Sequence, residues 1–263
     1  MTRSPSPART RRPRAPRRTL LRRILRAAAL TLALLLGLAL LLVLLLRWVN
    51  PPYSMYMFSE AAGPIAPSLR RHWQPVHELP VHVPLAVIAA EDQRFPLHGG
   101  FDWQSMQEAV NEYRQGRRLR GASTISQQTA KNLFLWHGRS LARKSLEAGF
   151  TVAIEALWPK ARILEVYLNL AEWGPGVFGI DSAARYHFGI TARELSREQA
   201  ALLAAVLPNP KVYSPTRPSE TVRNRARWIE RQMSQLGPGW LEPLDLAREG
   251  HPGSGWPPPA ASR

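Results

Sequence analysis

The 263 residues include no cysteine. Disulfides and thiolate metal sites are therefore excluded, and stability must come from an apolar core. Acidic residues are scarce, 19 against 35 Lys and Arg, giving a formal charge of +16. Such a balance raises nucleic acid as a partner, but ten arginines and no acid lie in residues 1–26, leaving about +6 for the rest. The basic tail reads as topogenic and anionic-lipid-binding, and no nucleic acid is expected. The smaller excess elsewhere suits a partner that carries phosphates. Strand-like alternation is almost absent and no internal repeat is visible, so the fold is expected to be mainly α.

What the chain does have is an unbroken run of 20 residues, Ala27 to Leu46, without a charge or a proline. That is long enough to cross a bilayer as one helix. Ten arginines precede it and only Arg47 follows in the next twenty residues, so the basic side should stay cytoplasmic and the remainder should lie outside, periplasmic or extracellular. Arg17-Arg18 resembles a twin-arginine signal only loosely, and Arg47-Trp48-Val49-Asn50-Pro51-Pro52 offers no small-residue cleavage site, so the span is expected to remain as an anchor in the cytoplasmic membrane.

Five segments are expected: a cytoplasmic tail (1–26), a transmembrane helix (27–46), a proline-rich linker (47–84), a folded domain (85–236) and a flexible tail (237–263). Within the domain, Leu85 to Ala90 is a buried segment that delivers Glu91 and Asp92 at its end. Helices are expected over Trp103–Arg117, from a Ser123 or Thr124 cap to about Leu135, over Leu141–Leu157, and around Ile163–Leu170, ended by Gly174-Pro175-Gly176. Further helices should cover Ser182–Phe188, the stretch after a Ser196/Gln199 capping box, and Ser219–Leu236 with Gly237 as the stop.

Four polar stretches could carry chemistry. Glu91-Asp92-Gln93-Arg94-Phe95-Pro96-Leu97-His98-Gly99-Gly100 places a carboxylate after an apolar run, where partial desolvation raises its proton affinity toward that of a general base. A solvated acid at the end of an element is the plainer alternative. Gly121-Ala122-Ser123-Thr124-Ile125-Ser126-Gln127-Gln128-Thr129-Ala130-Lys131-Asn132 puts Gln127, Gln128 and Lys131 on one helical face. In Arg143-Lys144-Ser145-Leu146-Glu147 both cations can lie beside the acid, as they would in an ordinary surface ion pair. Lys131, Arg139, Arg143 and Lys144 could stabilise a departing diphosphate or form only a solvated basic face. The fourth stretch is Lys160-Ala161-Arg162-Ile163-Leu164-Glu165-Val166-Tyr167-Leu168-Asn169. No second histidine or cysteine stands at ligand spacing from His98, which reads as structural; Trp136, Trp158, Tyr167, Trp173 and Phe178 read mostly as core.

In this order the four stretches resemble the motif series of the family 51 glycosyltransferases, which polymerise lipid-linked disaccharide into peptidoglycan glycan strands. The resemblance runs from about Leu79 to Pro218. It implies a lysozyme-like helical head in which Glu91 is the general base, Asp92 its acidic neighbour, and Glu147 a second functional acid that orients substrate or leaving diphosphate. Lys131 and Arg139 match the diphosphate-contacting cations, with Arg143 and Lys144 beside them. Ser123, Gln127, Gln128 and Asn132 match polar residues that contact sugar and phosphate.

The implied substrates are lipid II and the growing glycan chain, at the membrane, with cell-wall synthesis or division proteins as candidate partners. The implied reaction inverts C1, forms a β-1,4 bond and releases undecaprenyl diphosphate. The missing Gly-rich phosphate loop and Rossmann fingerprint count against a nucleotide-sugar donor. No metal motif is present, and whether a divalent cation assists at the diphosphate is left open. With no Ser-x-x-Lys and only 45 residues after Pro218, no transpeptidase domain is expected and the enzyme should be monofunctional. Two other readings are a lytic enzyme of lysozyme-like fold that cuts the same polymer and a non-catalytic wall-binding anchor. The first needs an acid on the leaving sugar oxygen rather than a basic cradle; the second gives no reason for Glu91-Asp92 and Glu147 beside the cations.

Overall fold

The computed structural model describes residues 17–61, 72–116, 123–136, 138 and 140–246. Of the tail expected to be flexible (237–263), residues 237–246 instead pack on the domain, with Leu241, Leu244 and Leu246 buried because their apolar side chains find the core. The residues beyond 246, the extreme N-terminus and Arg139 lie outside the described residues. The chain divides between Leu42 and Val43 into two units. The first contains most of α1 (Arg17–Leu45), a helix whose span Leu21–Leu45 is long and apolar enough to cross a membrane. The helix begins ten residues before the apolar run because Arg and Leu are good helix formers, so the ladder continues into the basic segment.

The described residues of the second unit are mainly helical. It comprises α2 (Met55–Ala61), α3 (His82–Glu91), α4 (Trp103–Arg114), α5 (Ile125–Phe134), α6 (Leu141–Leu157), α7 (Lys160–Leu170), α8 (Ile180–Phe188), α9 (Arg197–Val206) and α10 (Glu220–Leu236). Local chemistry accounts for most of these boundaries. Thr124, Ser140, Ser196 and Ser219 cap α5, α6, α9 and α10 through their hydroxyls, and Gln127 and Gln199 complete capping boxes. Gly189 closes α8 in the left-handed region that glycine favours.

The core helix is α3. Val83 through Ala89 are all buried, so the helix is apolar all round and must be enclosed. It packs against α9 and α10, while α5 packs against α6, α7 and α2. Pro84 is tolerated because it sits in the first turn, where the backbone N–H lacks an intrahelical partner anyway.

Proline spacing predicts a linker over 47–84, yet much of the described part is packed. Met57, Val76, Leu79, Val81 and Val83 are buried. Asn169 receives the N–H of Gln74 at 2.8 Å and donates to its carbonyl at 2.9 Å. Glu165 accepts from Val76 N at 3.0 Å and from the Trp73 indole at 3.2 Å. Buried Arg162 donates to Leu46 O and Val49 O just past α1, to Asn50, and to Glu165, satisfying carbonyls that the helix end leaves open. Proline prevents a long helix here but not a well-ordered extended segment.

A second difference is a small antiparallel hairpin, β1 (Glu172–Gly174) with β2 (Val177–Phe178). Gly174-Pro175-Gly176 does not stop α7, which already ends at Leu170 as Ala171 turns extended; Pro175 and positive-φ Gly176 build the hairpin turn instead. Of the aromatics expected in the core, Trp158, Tyr167, Trp173 and Phe178 are buried, whereas Trp136 is half exposed.

Candidate active site

Glu91 is the last residue of α3, so the apolar helix carries it to the edge of the core. One carboxylate oxygen accepts from Gln128 Nε2 at 2.9 Å. The other faces Arg225 Nη2 of α10 at 3.3 Å, and the same nitrogen lies 3.3 Å from Ala90 O. Burial pushes the Glu91 carboxyl above its ordinary value, opposed by the Gln128 hydrogen bond and by Arg225, reinforced by the charge of Asp92, and opposed again by Lys131. A raised carboxylate is what general-base work near neutral pH requires.

Asp92 turns away from Glu91 into a structural pair. His98 Nε2 lies 2.9 and 3.0 Å from its oxygens, and Ile125 N donates to it at 3.0 Å. Gly100 N donates to His98 Nδ1 at 3.1 Å, which makes Nδ1 the acceptor and leaves Nε2–H to serve Asp92. The pair thereby ties the end of α3 to the start of α5. Gly100 itself has φ +90, and a Cβ there would come within 2.8 Å of Thr151 and 2.9 Å of Glu155 on α6. The turn after Glu91 closes against α6 only with glycine at that position.

Lys131 follows Gln128 on α5. Burial lowers its pKa, Glu147 raises it, Arg143 and Lys144 lower it, and Glu91 raises it. The electrostatic neighbours of Lys131 thus join the two carboxylates that the sequence singled out. Glu147 is buried, accepting from Arg143 Nη1 at 3.0 Å and from Lys144 Nζ. Ser123 shares a cavity of about 240 Å³ with Glu91, Asp92, Glu108 and Glu112. Asn132 is half buried one residue after Lys131. Gln127 lies on α5 with Gln128 and Lys131, and its Oε1 accepts from Thr124 N at 3.0 Å in the capping box. Among the described residues no cluster of three or more His, Asp or Glu is arranged to hold a metal ion.

Three residues around Glu91 have no counterpart among those the sequence reading selected for the site. Arg225 comes from α10. Tyr167, fully enclosed on α7, donates its hydroxyl to Gln128 Oε1 at 3.4 Å, and burial followed by the charge of Glu91 raises its pKa well above the ordinary phenol value. Gln93 is held by Gln232 at 3.1 Å and, through its carbonyl, by Trp240 Nε1 at 2.7 Å. Gln93 and Tyr167 lie inside the first and fourth polar stretches, where a local signal exists; Arg225 carries none.

The helical head brings a half-buried carboxylate, Glu91, into the surroundings of the cations around Lys131, an arrangement whose positive charge suits an anionic substrate group. The sequence model of the transglycosylase family matches residues 60–234. The chain belongs to that family. It is 53% identical over 224 residues to a biosynthetic peptidoglycan transglycosylase of Pseudomonas fluorescens Pf-5, covering 83% of this chain and 92% of that protein. A protein of the same description from Ectopseudomonas mendocina is 56% identical over 198 residues, covering 74% of this chain and 82% of the relative. One from Pseudomonas putida W619 is 52% identical over 237 residues, covering 88% and 98%.

Proposed function

We propose that this transglycosylase polymerises lipid II into peptidoglycan glycan strands, with Glu91 as the base. Glu91 takes the proton of the 4-hydroxyl of the acceptor GlcNAc as that oxygen attacks C1 of the MurNAc on the lipid-linked chain. The C1–O bond to diphosphate breaks with inversion, and its electron pair leaves on undecaprenyl diphosphate. Lys131, Arg139, Arg143 and Lys144 stabilise that charge, and Glu147 keeps Arg143 and Lys144 in place. Ser123, Gln128 and Asn132 supply polar contacts to sugar or phosphate; Gln127 and Asp92 hold α5 in position for them.

One observation carries the reading: a half-buried carboxylate with raised proton affinity shares its electrostatic surroundings with Lys131, which in turn faces Glu147, Arg143 and Lys144. A lytic enzyme could use a raised carboxyl such as Glu91 as its acid, but it has no use for a basic cradle, and here Lys131, Arg143 and Lys144 cluster about Glu147. The apolar helix α1, the one membrane-length helix among the described residues, serves as the anchor. With the arginine-rich end inside, the head works on the outer face of the cytoplasmic membrane, where cell-wall synthesis proteins are the natural neighbours.

The test is to incubate the full chain, in detergent or vesicles, with lipid-linked disaccharide and separate the glycan products. Wild type should make strands, and Glu91→Gln should lose about 10²–10⁴-fold, the usual contribution of a general base. Strand synthesis by the glutamine variant at near wild-type rate would remove Glu91 from that role, and cleavage of preformed glycan instead of synthesis would overturn the reaction.

A further inference from the structure

Arg225 lies 134 residues from Glu91 in sequence and outside every polar stretch that marks the site, yet it is the cation that touches the carboxylate. We propose that Arg225 is a positioning residue for the reaction: from α10 it steadies one oxygen of Glu91 while Gln128 holds the other, keeping a buried carboxylate ionised and aimed without locking it. This inference rests on the reading of Glu91 as the base.

The geometry has three parts. First, Arg225 meets Glu91 through Nη2 alone at 3.3 Å, and its buried Nε has no hydrogen-bond partner. A bidentate fork would hold both carboxylate oxygens and weaken their basicity. One long contact on Oε1 leaves that oxygen's second lone pair for an incoming hydroxyl. Second, the arginine is itself fixed, because the same Nη2 also reaches Ala90 O in the last turn of α3. Third, Arg225 belongs to a brace. Gln232 from the same helix holds Gln93, and Trp240 just beyond it holds the Gln93 carbonyl. The C-terminal helix therefore grips the turn that carries the base at residues 90, 91 and 93.

The surroundings of Glu91 show why a cation is needed there. Asp92 on its own segment opposes ionisation, as does burial; from α5, Gln128 and Lys131 favour it. Tyr167 on α7 faces it as a neutral phenol. The cavity beside Glu91 is also lined by Glu108 and Glu112 of α4, by Asp102 at its cap, and by Arg94, which pairs with Asp102. Of the two cations acting on Glu91, Lys131 is committed to the opposite side, where Glu147, Arg143 and Lys144 share it. Arg94 is paired with Asp102 at 3.8 Å, which leaves Arg225 as the cation whose side chain meets the Glu91 carboxylate itself.

The experiment compares Arg225→Met, Arg225→Gln and Arg225→Lys with wild type as full chains. One readout is kcat and KM for lipid-linked disaccharide across the pH range. The other, independent of turnover, is the ¹³C carboxyl titration of Glu91, identified as the signal missing from Glu91→Gln. Removing the cation should make Glu91 hold its proton to higher pH, so the acid limb moves upward. The loss relative to wild type should then be roughly tenfold larger at the acidic end than at the alkaline end, the scale for removing a neighbouring opposite charge. Arg225→Lys should recover most of it, and KM should change little. Should the methionine variant fold poorly, the glutamine variant, which keeps a donor without charge, supplies both readouts.

A uniform loss at all pH values, a defect confined to KM, or an unmoved Glu91 titration would overturn the inference. If the carboxyl titration moves but wild type makes no strands, the positioning holds and the polymerase reading fails. If wild type polymerises and the titration does not move, the reverse is true.

Discussion

Replacing Glu147 with glutamine asks whether one buried carboxylate holds the α6 cation cluster together. Glu147 is 3% exposed and takes Arg143 and Lys144 on its two oxygens. Removing one partner of a fully buried ion pair costs about 3–5 kcal/mol, because the remaining charge stays out of water. The two pairs here differ. Lys144 has a side chain 53% exposed and can turn into solvent, so its pair counts for little; Arg143 is only 13% exposed. The amide keeps the volume and one acceptor, so roughly half the full cost, about 2 kcal/mol, should be lost. For a domain of this size that lowers Tm by about 4–8 °C. The substitution has a second, electrostatic consequence. Glu147 is the main group raising the pKa of Lys131, which burial already lowers. Without it Lys131 gives up its proton at lower pH, so the alkaline limb of the polymerisation profile should move downward. Thermal unfolding by circular dichroism and strand synthesis against pH, both on the full chain in detergent, read the two effects. An unchanged Tm with an unmoved alkaline limb would refute this reasoning. Loss of activity with neither change would make Glu147 a participant in the chemistry.

Other outcomes are equally open to measurement. Asp92→Asn keeps one acceptor where two donors, His98 and Ile125 N, now converge; it should lose about 1–3 kcal/mol of stability, and an unchanged unfolding midpoint would mean the tie between α3 and α5 is dispensable. Lys131→Ala should weaken turnover and binding of diphosphate-bearing ligands by about 2–4 kcal/mol while leaving diphosphate-free glycan bound, and equal losses for both would make the lysine a general structural cation. His82 and His187 are held below the ordinary imidazole value of 6.5, chiefly by burial. Their unfolded forms protonate first as pH drops, so their contribution to stability is complete above about pH 6.5 and declines below it; a Tm that stays flat from about pH 7 to about pH 5 would count against this. Finally, a reporter fused after Arg263 should be active only outside the cytoplasm, and the purified chain should keep its N-terminal arginines; a soluble product beginning near Val49 would sink the anchored topology.

Much of this molecule was legible locally. The cap hydroxyls, the capping boxes and the proline after Trp158 are short-range chemistry, and they set the ends of α5, α6, α9 and α10 where side chains and backbone a few residues apart satisfy each other. The pairing of Glu147 with Arg143 and Lys144 follows from helical spacing alone. The same spacing keeps Gln127 on α5 with Gln128 and Lys131 but does not reveal that the backbone N–H of Thr124 takes its side-chain oxygen in the capping box. Proline spacing likewise forbade a long helix over 47–84 without revealing that Gln74 and Val76 would be pinned by Asn169 and Glu165 from a helix some 90 residues further on. What surrounds the Glu91 carboxylate was decided by tertiary packing. The enclosed helix α3 can deliver a carboxylate to the edge of the core, but Gln128, Tyr167 and Arg225 reach it only because α5, α7 and α10 fold around that edge. A spacing rule describes neighbours along one element; the proton affinity of a buried acid depends on charges brought beside it from elsewhere in the chain.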